Sequence, residues 1–306
     1  MSSVATPTAA RTAPVPTPPE PPARRRPVGH GRRRRATRLW GLLAVVIGLV
    51  WAFPVYWMLN SSFLPYNRIR SVEPTFLPLD GTLANYRRVL EEGSFFSAVR
   101  VSATVTAITV VVTLLFAFLA ALAVSRFRFP GRRSFLLTVL VVQMIPAEGL
   151  FISQYKMLEG WQLLNSVIGL SLLYIAGVVP FTVWMLRGFV NGVPRELEEA
   201  ALVDGCTRRQ AFFRITFPLL APGLVASGVY AFLQAWNEFT LALVVMTRPE
   251  QETLPVWLRT FTEANRATDW GGIMAGSALI AVPVVIFFLV VQHRMTSGLV
   301  SGAVKG

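Results

Sequence analysis

The sequence predicts an all-α integral membrane protein with six membrane-spanning helices, on three observations. Of 306 residues, 53% are hydrophobic and 15% charged, against about 25% charged in soluble domains. Six apolar stretches, at 39–62, 95–124, 134–156, 164–188, 223–247 and 272–292, reach the length of about 18 residues that reads as a bilayer crossing. The basic residues gather in alternate connecting segments, as cytoplasmic loops do.

Residues 1–35 are rich in Pro, Ala, Thr and Arg and poor in large apolar side chains. They cannot offset the entropy of ordering, so a disordered basic tail is expected. Nine arginines precede the first span. They orient the chain and meet anionic headgroups, and this placement argues against nucleic acid as the reason for the net charge of +13. The run 39–62 is too long for a signal-peptide core and lacks a small-residue cleavage site, so it reads as an uncleaved helix. Pro54 is expected to kink it. Residues 82–92, TLANYRRVLEE, place Leu83, Tyr86, Val89 and Leu90 at helical spacing, which predicts an amphipathic helix on the outer interface.

Span two carries Thr104, Thr106, Thr109 and Thr113 among Val and Ala, residues that allow close helix packing in lipid. Arg126, Arg128, Arg132 and Arg133 follow it with no acid among them. Loops 125–133 and 189–222 are therefore cytoplasmic, as are both termini. Loops 63–94, 157–163 and 248–271 lie outside. The chain divides into the tail 1–35, the first transmembrane helix with its outer loop (36–94), a five-helix membrane domain (95–292) and a cytoplasmic C-terminal tail (293–306).

The most informative segment is the polar break at 189–222, and within it EAALVDGCTRRQAFFRITFP at 199–218. Pro194 suits a first helical position. Glu196, Glu198 and Glu199 crowd a helix N-terminus, where the dipole favours negative charge. Leu197, Ala200 and Ala201 are expected on one side. Asp204-Gly205 ends this helix, because glycine tolerates the left-handed conformation common there. A second helix is predicted from Thr207 to Thr216, with Pro218 and Pro222 stopping it and launching span five. A mere tether needs neither two helices nor this length. The pair reads as a docking surface.

These residues resemble the cytoplasmic signature of permease subunits of bacterial ATP-binding-cassette (ABC) importers: Glu-Ala-Ala, three residues, Gly, nine residues, Ile, one residue, an apolar residue, Pro. Here Glu199, Ala200, Ala201, Gly205, Ile215, Phe217 and Pro218 fill it, with phenylalanine where leucine is usual. The resemblance implies a type I importer permease fold in which this loop is the coupling helix. It would seat in an ABC ATPase dimer, with Glu199 meeting a basic residue there and Asp204 at the bend. TLANYRRVL and the closing SGLVSGAVKG look like carbohydrate importers of the maltose and glycerol-phosphate type, and the size is similar to the smaller of that type's two permeases. The implied partners are a second permease, the ATPase dimer, an extracytoplasmic sugar-binding protein and the bilayer of a bacterial cell membrane. No cofactor is expected in this chain, since ATP and Mg²⁺ belong to the ATPase.

Inside the spans, a carboxylate is costly and marks a pathway or a partner. Glu238 lies in AWNEFTLAL beside Trp236 and Asn237, residue types that stack on pyranose faces and bond hydroxyls. Glu238 either joins a sugar pathway or hydrogen-bonds a neighbouring helix. Glu148 in QMIPAEG sits where Pro146 and Gly149 predict a broken helix. Trp257 and Trp270, in the outer loop, are expected to face the binding protein or to anchor the loop at the interface. One cysteine and two histidines exclude an internal disulfide and a metal site. There is no phosphate-binding GxxxxGK[ST] loop and no nucleophile–base pattern, so neither ATP nor covalent catalysis is expected here. Besides a sugar importer, the residues leave open an ABC permease for another solute, a proton-coupled transporter using Glu148 and Glu238, and a membrane scaffold.

Overall fold

The structure, a computed structural model, describes the backbone of residues 30–262 and 268–302, and the side chains of 40–146, 149–262 and 268–292. Among these residues every regular element is helical. The helices are α1 (His30–Phe63), α2 (Tyr66–Ile69), α3 (Ala84–Glu91), α4 (Phe95–Arg126), α5 (Arg132–Gln143), α6 (Phe151–Gly160), α7 (Val167–Gly192), α8 (Glu196–Val203), α9 (Arg208–Ala211), α10 (Phe217–Trp236), α11 (Thr240–Val245), α12 (Leu254–Trp257) and α13 (Trp270–Gly302).

Among the described residues five helices, not six, are long and apolar enough to cross a membrane. The expected span 134–156 is broken between α5 and α6. Pro146 supplies no amide, and a 3-10 turn over Ala147–Leu150 replaces the α-helical register. The fifth span also differs. Pro218 and Pro222 do not stop the preceding helix, and one helical run extends over Arg208–Trp236. A π-turn at Phe212–Thr216 makes this possible: the Phe217 amide bonds back to the Phe212 carbonyl, and Pro218 follows at the start of α10, where a missing amide is least felt. The same span ends at Trp236 instead of 247. α1 begins at His30, within the stretch expected to be disordered, since arginine is a good helix former and extends a helix nucleated by the apolar run. The rest of that tail, 1–29, and Lys305 lie outside the described residues.

The chain forms two compact units, Met1–Phe53 and Pro54–Gly306. In the first, the apolar side chains from Trp40 to Phe53 are exposed, which suits a lipid-facing helix. In the second, α4 packs chiefly against α7, and α10 packs on both. Lipid tails are as apolar as leucine, so close packing must hold these helices together. Small residues provide it. Ala117, Ala121, Thr109 and Thr113 of α4 are fully buried, as is Ser227 of α10. Ala117 and Ala121 cluster with Val183, Leu186 and Val190 of α7. Gly223 is obligatory in this contact: a Cβ there would lie 2.5 Å from the Phe189 ring of α7.

At the end bearing α3, Val89 is fully buried while Leu83 and Leu90 are exposed, so only part of the expected apolar stripe packs. Asn85 donates to the carbonyls of Ser62 and Leu64, both at 2.9 Å, and fixes α3 against the end of α1. Arg88 pairs with Asp269 ahead of α13.

Candidate functional site

At the opposite end of the second unit, α8 and α9 form the expected helical hairpin. Glu196, Glu198 and Glu199 occupy the first turn of α8. Pro194 lies two residues ahead of the helix instead of opening it. At the C-terminus the Cys206 amide bonds to the Ala201 carbonyl at 2.9 Å, and Gly205 takes φ +87°. That angle disfavours an L-residue, which is the physical reason for glycine at this point of the motif. Asp204 is the residue that ends α8. Thr207 then caps α9 reciprocally: the Thr207 amide donates to Gln210 Oε1 at 2.8 Å, and the Gln210 amide donates back to Thr207 Oγ1 at 3.3 Å.

Ala200 and Ala201 do not share a face. Ala201 is buried under the hairpin, whereas Ala200, Leu197, Leu202 and Val203 are exposed, Val203 at 88%. Glu199 is also exposed. The surface is thus a small apolar patch next to a carboxylate. Beside it lies a cleft of about 320 Å³ lined by Arg126, Arg195, Glu198, Glu199, Leu202 and Arg208, among others. Ile215 is half-buried and Pro218 exposed. Phe217, the departure from the usual leucine, joins Phe212, Phe213 and Phe118 of α4, with ring centroids 6.0–6.5 Å apart. The larger side chain therefore has a partner waiting on α4.

Beneath the hairpin, sequence gave Glu198 only a place at a helix N-terminus and Arg126 only a place in a cytoplasmic loop, and it gave Thr216 and Arg195 no site role. Arg126, at the last turn of α4, reaches Glu198 Oε1 at 3.3 Å and donates to the Val193 carbonyl at 3.2 Å. Thr216 Oγ1 donates to the same Glu198 oxygen at 2.7 Å. Arg195 donates to the Ser125 and Arg126 carbonyls at 3.1 and 3.2 Å, satisfying the open end of α4. A basic residue ending a helix is a recognisable local signal. The pairing with Glu198, 72 residues later, is tertiary and leaves no local trace.

Within the apolar bundle the expected trio separates. Glu238 lies in the break between α10 and α11. Its carboxylate accepts from the Leu241 amide at 2.7 Å, the Ala242 amide at 3.0 Å and the Tyr174 hydroxyl of α7 at 2.6 Å. It caps α11 and ties it to α7, so the bond to a neighbouring helix is the reading the geometry favours. Trp236 is 3% exposed, stacks on Phe232 and donates to the Ile280 carbonyl at 3.2 Å. It is packing, not an open sugar platform. Asn237 is exposed and donates to the Leu233 carbonyl at 2.9 Å. The Glu148 side chain lies outside the described residues, while its backbone belongs to the 3-10 turn that breaks the third span.

The two tryptophans of the loop also part company. Trp257 is fully buried against Phe95 and Phe261 and donates to Ser94 Oγ at 3.0 Å. Its indole is core, because α12 folds back onto α4, and it cannot face a partner. Trp270 is exposed at the start of α13.

Residues 113–298 match the family of binding-protein-dependent transport system inner membrane components. The diacetylchitobiose uptake permease of Streptomyces coelicolor is 43% identical over 88% of this chain and 98% of its own. The trehalose transport permease of Mycobacterium tuberculosis is 34% identical over 89% of this chain and 99% of its own. A crystal structure of a bacterial ABC transporter that imports the acidic polysaccharide alginate aligns with TM-score 0.73 at 21% identity, covering 88% of this chain and 99% of that one, which shows a shared fold. A packed bundle that exposes a short Glu-Ala-Ala hairpin at one end, and a match that runs through both, lead to one conclusion: the chain belongs to the binding-protein-dependent transport system inner membrane components, as a permease subunit.

Proposed function

We propose that this permease is one of two membrane halves of an ATP-driven importer of short saccharides, and that the α8–α9 hairpin seats a separate ABC ATPase. The observation that carries the reading is the hairpin itself. It exposes Glu199, Ala200, Leu202 and Val203 together beside a reciprocally capped turn, in a member of a family of transport components. An anionic group beside small and apolar residues suits a cleft with a basic residue on its rim. The saccharide class rests on relatives whose cargoes are diacetylchitobiose and trehalose.

In this reading the third crossing is made by α5 and α6 together. Helices of 12 and 10 residues extend about 18 and 15 Å at 1.5 Å per residue, which jointly matches the ~30 Å hydrocarbon core. With six crossings, both termini and the hairpin would lie in the cytoplasm of a bacterial cell. The end with α3 and Trp270 then faces the extracytoplasmic binding protein. One chain carries one such hairpin, so a second permease supplies the other seat on the ATPase dimer. Asn237 is the candidate that remains open for pathway contact, with Glu238 positioned behind it.

The test is uptake by proteoliposomes containing the complete complex, with binding protein outside and ATP inside. Radiolabelled diacetylchitobiose, trehalose and maltose serve as probes. Accumulation of at least one that needs both ATP and binding protein supports the proposal. Uptake driven by a proton gradient without ATP would overturn it in favour of the proton-coupled reading.

A further inference from the structure

The hairpin is fastened to α4 by a charged strut, and we propose that Arg126 and Glu198 are positioning residues that carry hairpin movement into α4. This rests on the hairpin being the ATPase seat. α8 is joined covalently to the membrane bundle at both ends, to α7 through residues 193–195 and, less directly, to α10 through the Gly205 bend, α9 and the π-turn. A glycine bend and a π-turn are the compliant points of a helical run, and both lie on that route.

A non-covalent connection runs straight to α4. Arg126 ends α4, and its side chain is only 14% exposed. It holds Glu198 Oε1 at 3.3 Å and the Val193 carbonyl at 3.2 Å, gripping α8 and the residue just after α7 at once. Thr216 fixes the same carboxylate oxygen at 2.7 Å from the π-turn side. Arg195, the residue before α8, returns the grip by binding the last carbonyls of α4. Phe118, two turns back along α4, sits among Phe212 and Phe217. A partly buried charged pair with extra hydrogen bonds resists shear better than a bare apolar contact, because separating it leaves charge unpaired.

The arrangement also divides the acids of α8. Glu198 is turned inward and engaged, and Glu199 is left exposed for a partner. The two adjacent carboxylates thus have different tasks: Glu199 meets the ATPase, and Glu198 passes the displacement on. α4 is in turn the element most extensively packed on α7. Movement delivered to its end is therefore distributed through the bundle without passing through α10.

The experiment uses the full complex in proteoliposomes and reads sugar accumulated per ATP hydrolysed. The probe is whichever of diacetylchitobiose, trehalose or maltose the parent complex accumulates. Glu198→Gln keeps the size and one acceptor for Thr216 but removes the charge. The expected result is a fall of at least fivefold in uptake with less than a twofold fall in binding-protein-stimulated ATPase. The double variant Arg126→Glu/Glu198→Arg should recover at least half of the lost ratio, while Arg126→Glu alone should not. An unchanged ratio in Glu198→Gln overturns the proposal, and so does a parallel loss of both activities, which assigns the pair to holding the fold. Loss of co-purification with the ATPase would also overturn it. If the parent complex itself fails to couple ATP to uptake, the ATPase-seat reading fails instead, and the two failures are distinct.

Discussion

Replacing Gly205 separates backbone geometry from surface contact at the hairpin. The residue stands at φ +87°, and no atom lies within 4 Å of where a Cβ would be. Sterics with the rest of the chain therefore contribute nothing, and the cost of a side chain is conformational. An L-residue in the left-handed region loses roughly 1–2 kcal/mol. Removing glycine also restricts the unfolded chain, which returns about 0.4–1 kcal/mol. The net for Gly205→Ala is about 1 kcal/mol against the bent hairpin, or about fivefold in the equilibrium constant between bent and unbent forms. Asparagine visits this region readily and should cost less, while β-branched valine should cost most. The assay is the affinity of purified ATPase for permease complexes in nanodiscs. The expected order is Gly, then Asn, then Ala about fivefold weaker, then Val. Equal affinity for all four would show that the left-handed bend is not needed. Asparagine as damaging as valine would show that occupied space, not backbone angle, governs the position.

Two further outcomes concern the outer-loop tryptophans and Glu238, for each of which the sequence left two readings open. Trp257→Ala should lower stability by about 3–5 kcal/mol, as loss of a buried aromatic does, and Trp270→Ala by less than about 0.5 kcal/mol, as expected for the surface. Thermal unfolding in detergent compares them, and similar Tm values would contradict the burial of Trp257. Glu238→Gln should cost about 1–2 kcal/mol, because a carboxamide has one acceptor oxygen for three donors, yet ATP-driven uptake should persist. Complete loss of uptake with an intact fold would make Glu238 part of the pathway instead of a cap.

Much of the fold was legible because lipid leaves few choices. Five of the six expected apolar runs fall on long helices, and their hydrophobicity alone says so. The exceptions are local. Pro146 and Gly149 did announce the break in the third span, but not that it would leave helices too short to cross singly. Pro218 and Pro222 read as stops because proline usually is one, and the π-turn at Phe212–Thr216 lets the helix run on. At the hairpin, Gly205 was readable since a positive φ leaves a residue signature. The face of Ala200 was not, because a one-residue rotation of a two-turn helix depends on what lies beneath it. Arg126 and Glu198 were each visible as charges, but their pairing arises only when α4 and α8 meet. Trp236 and Trp257 illustrate the same limit, as an aromatic beside polar residues reads as a contact until its burial is known.

The hairpin is the proposed seat of the ATPase. Photo-crosslinking from benzoyl-phenylalanine placed at Val203 or at Val72 tests it directly, since both positions are exposed and lie in the two loops proposed to face opposite sides of the membrane. In intact complexes, capture of the ATPase subunit from Val203 and none from Val72 is the predicted result. Capture from Val72, or none from Val203 while the complex still hydrolyses ATP, would contradict the assignment of the hairpin.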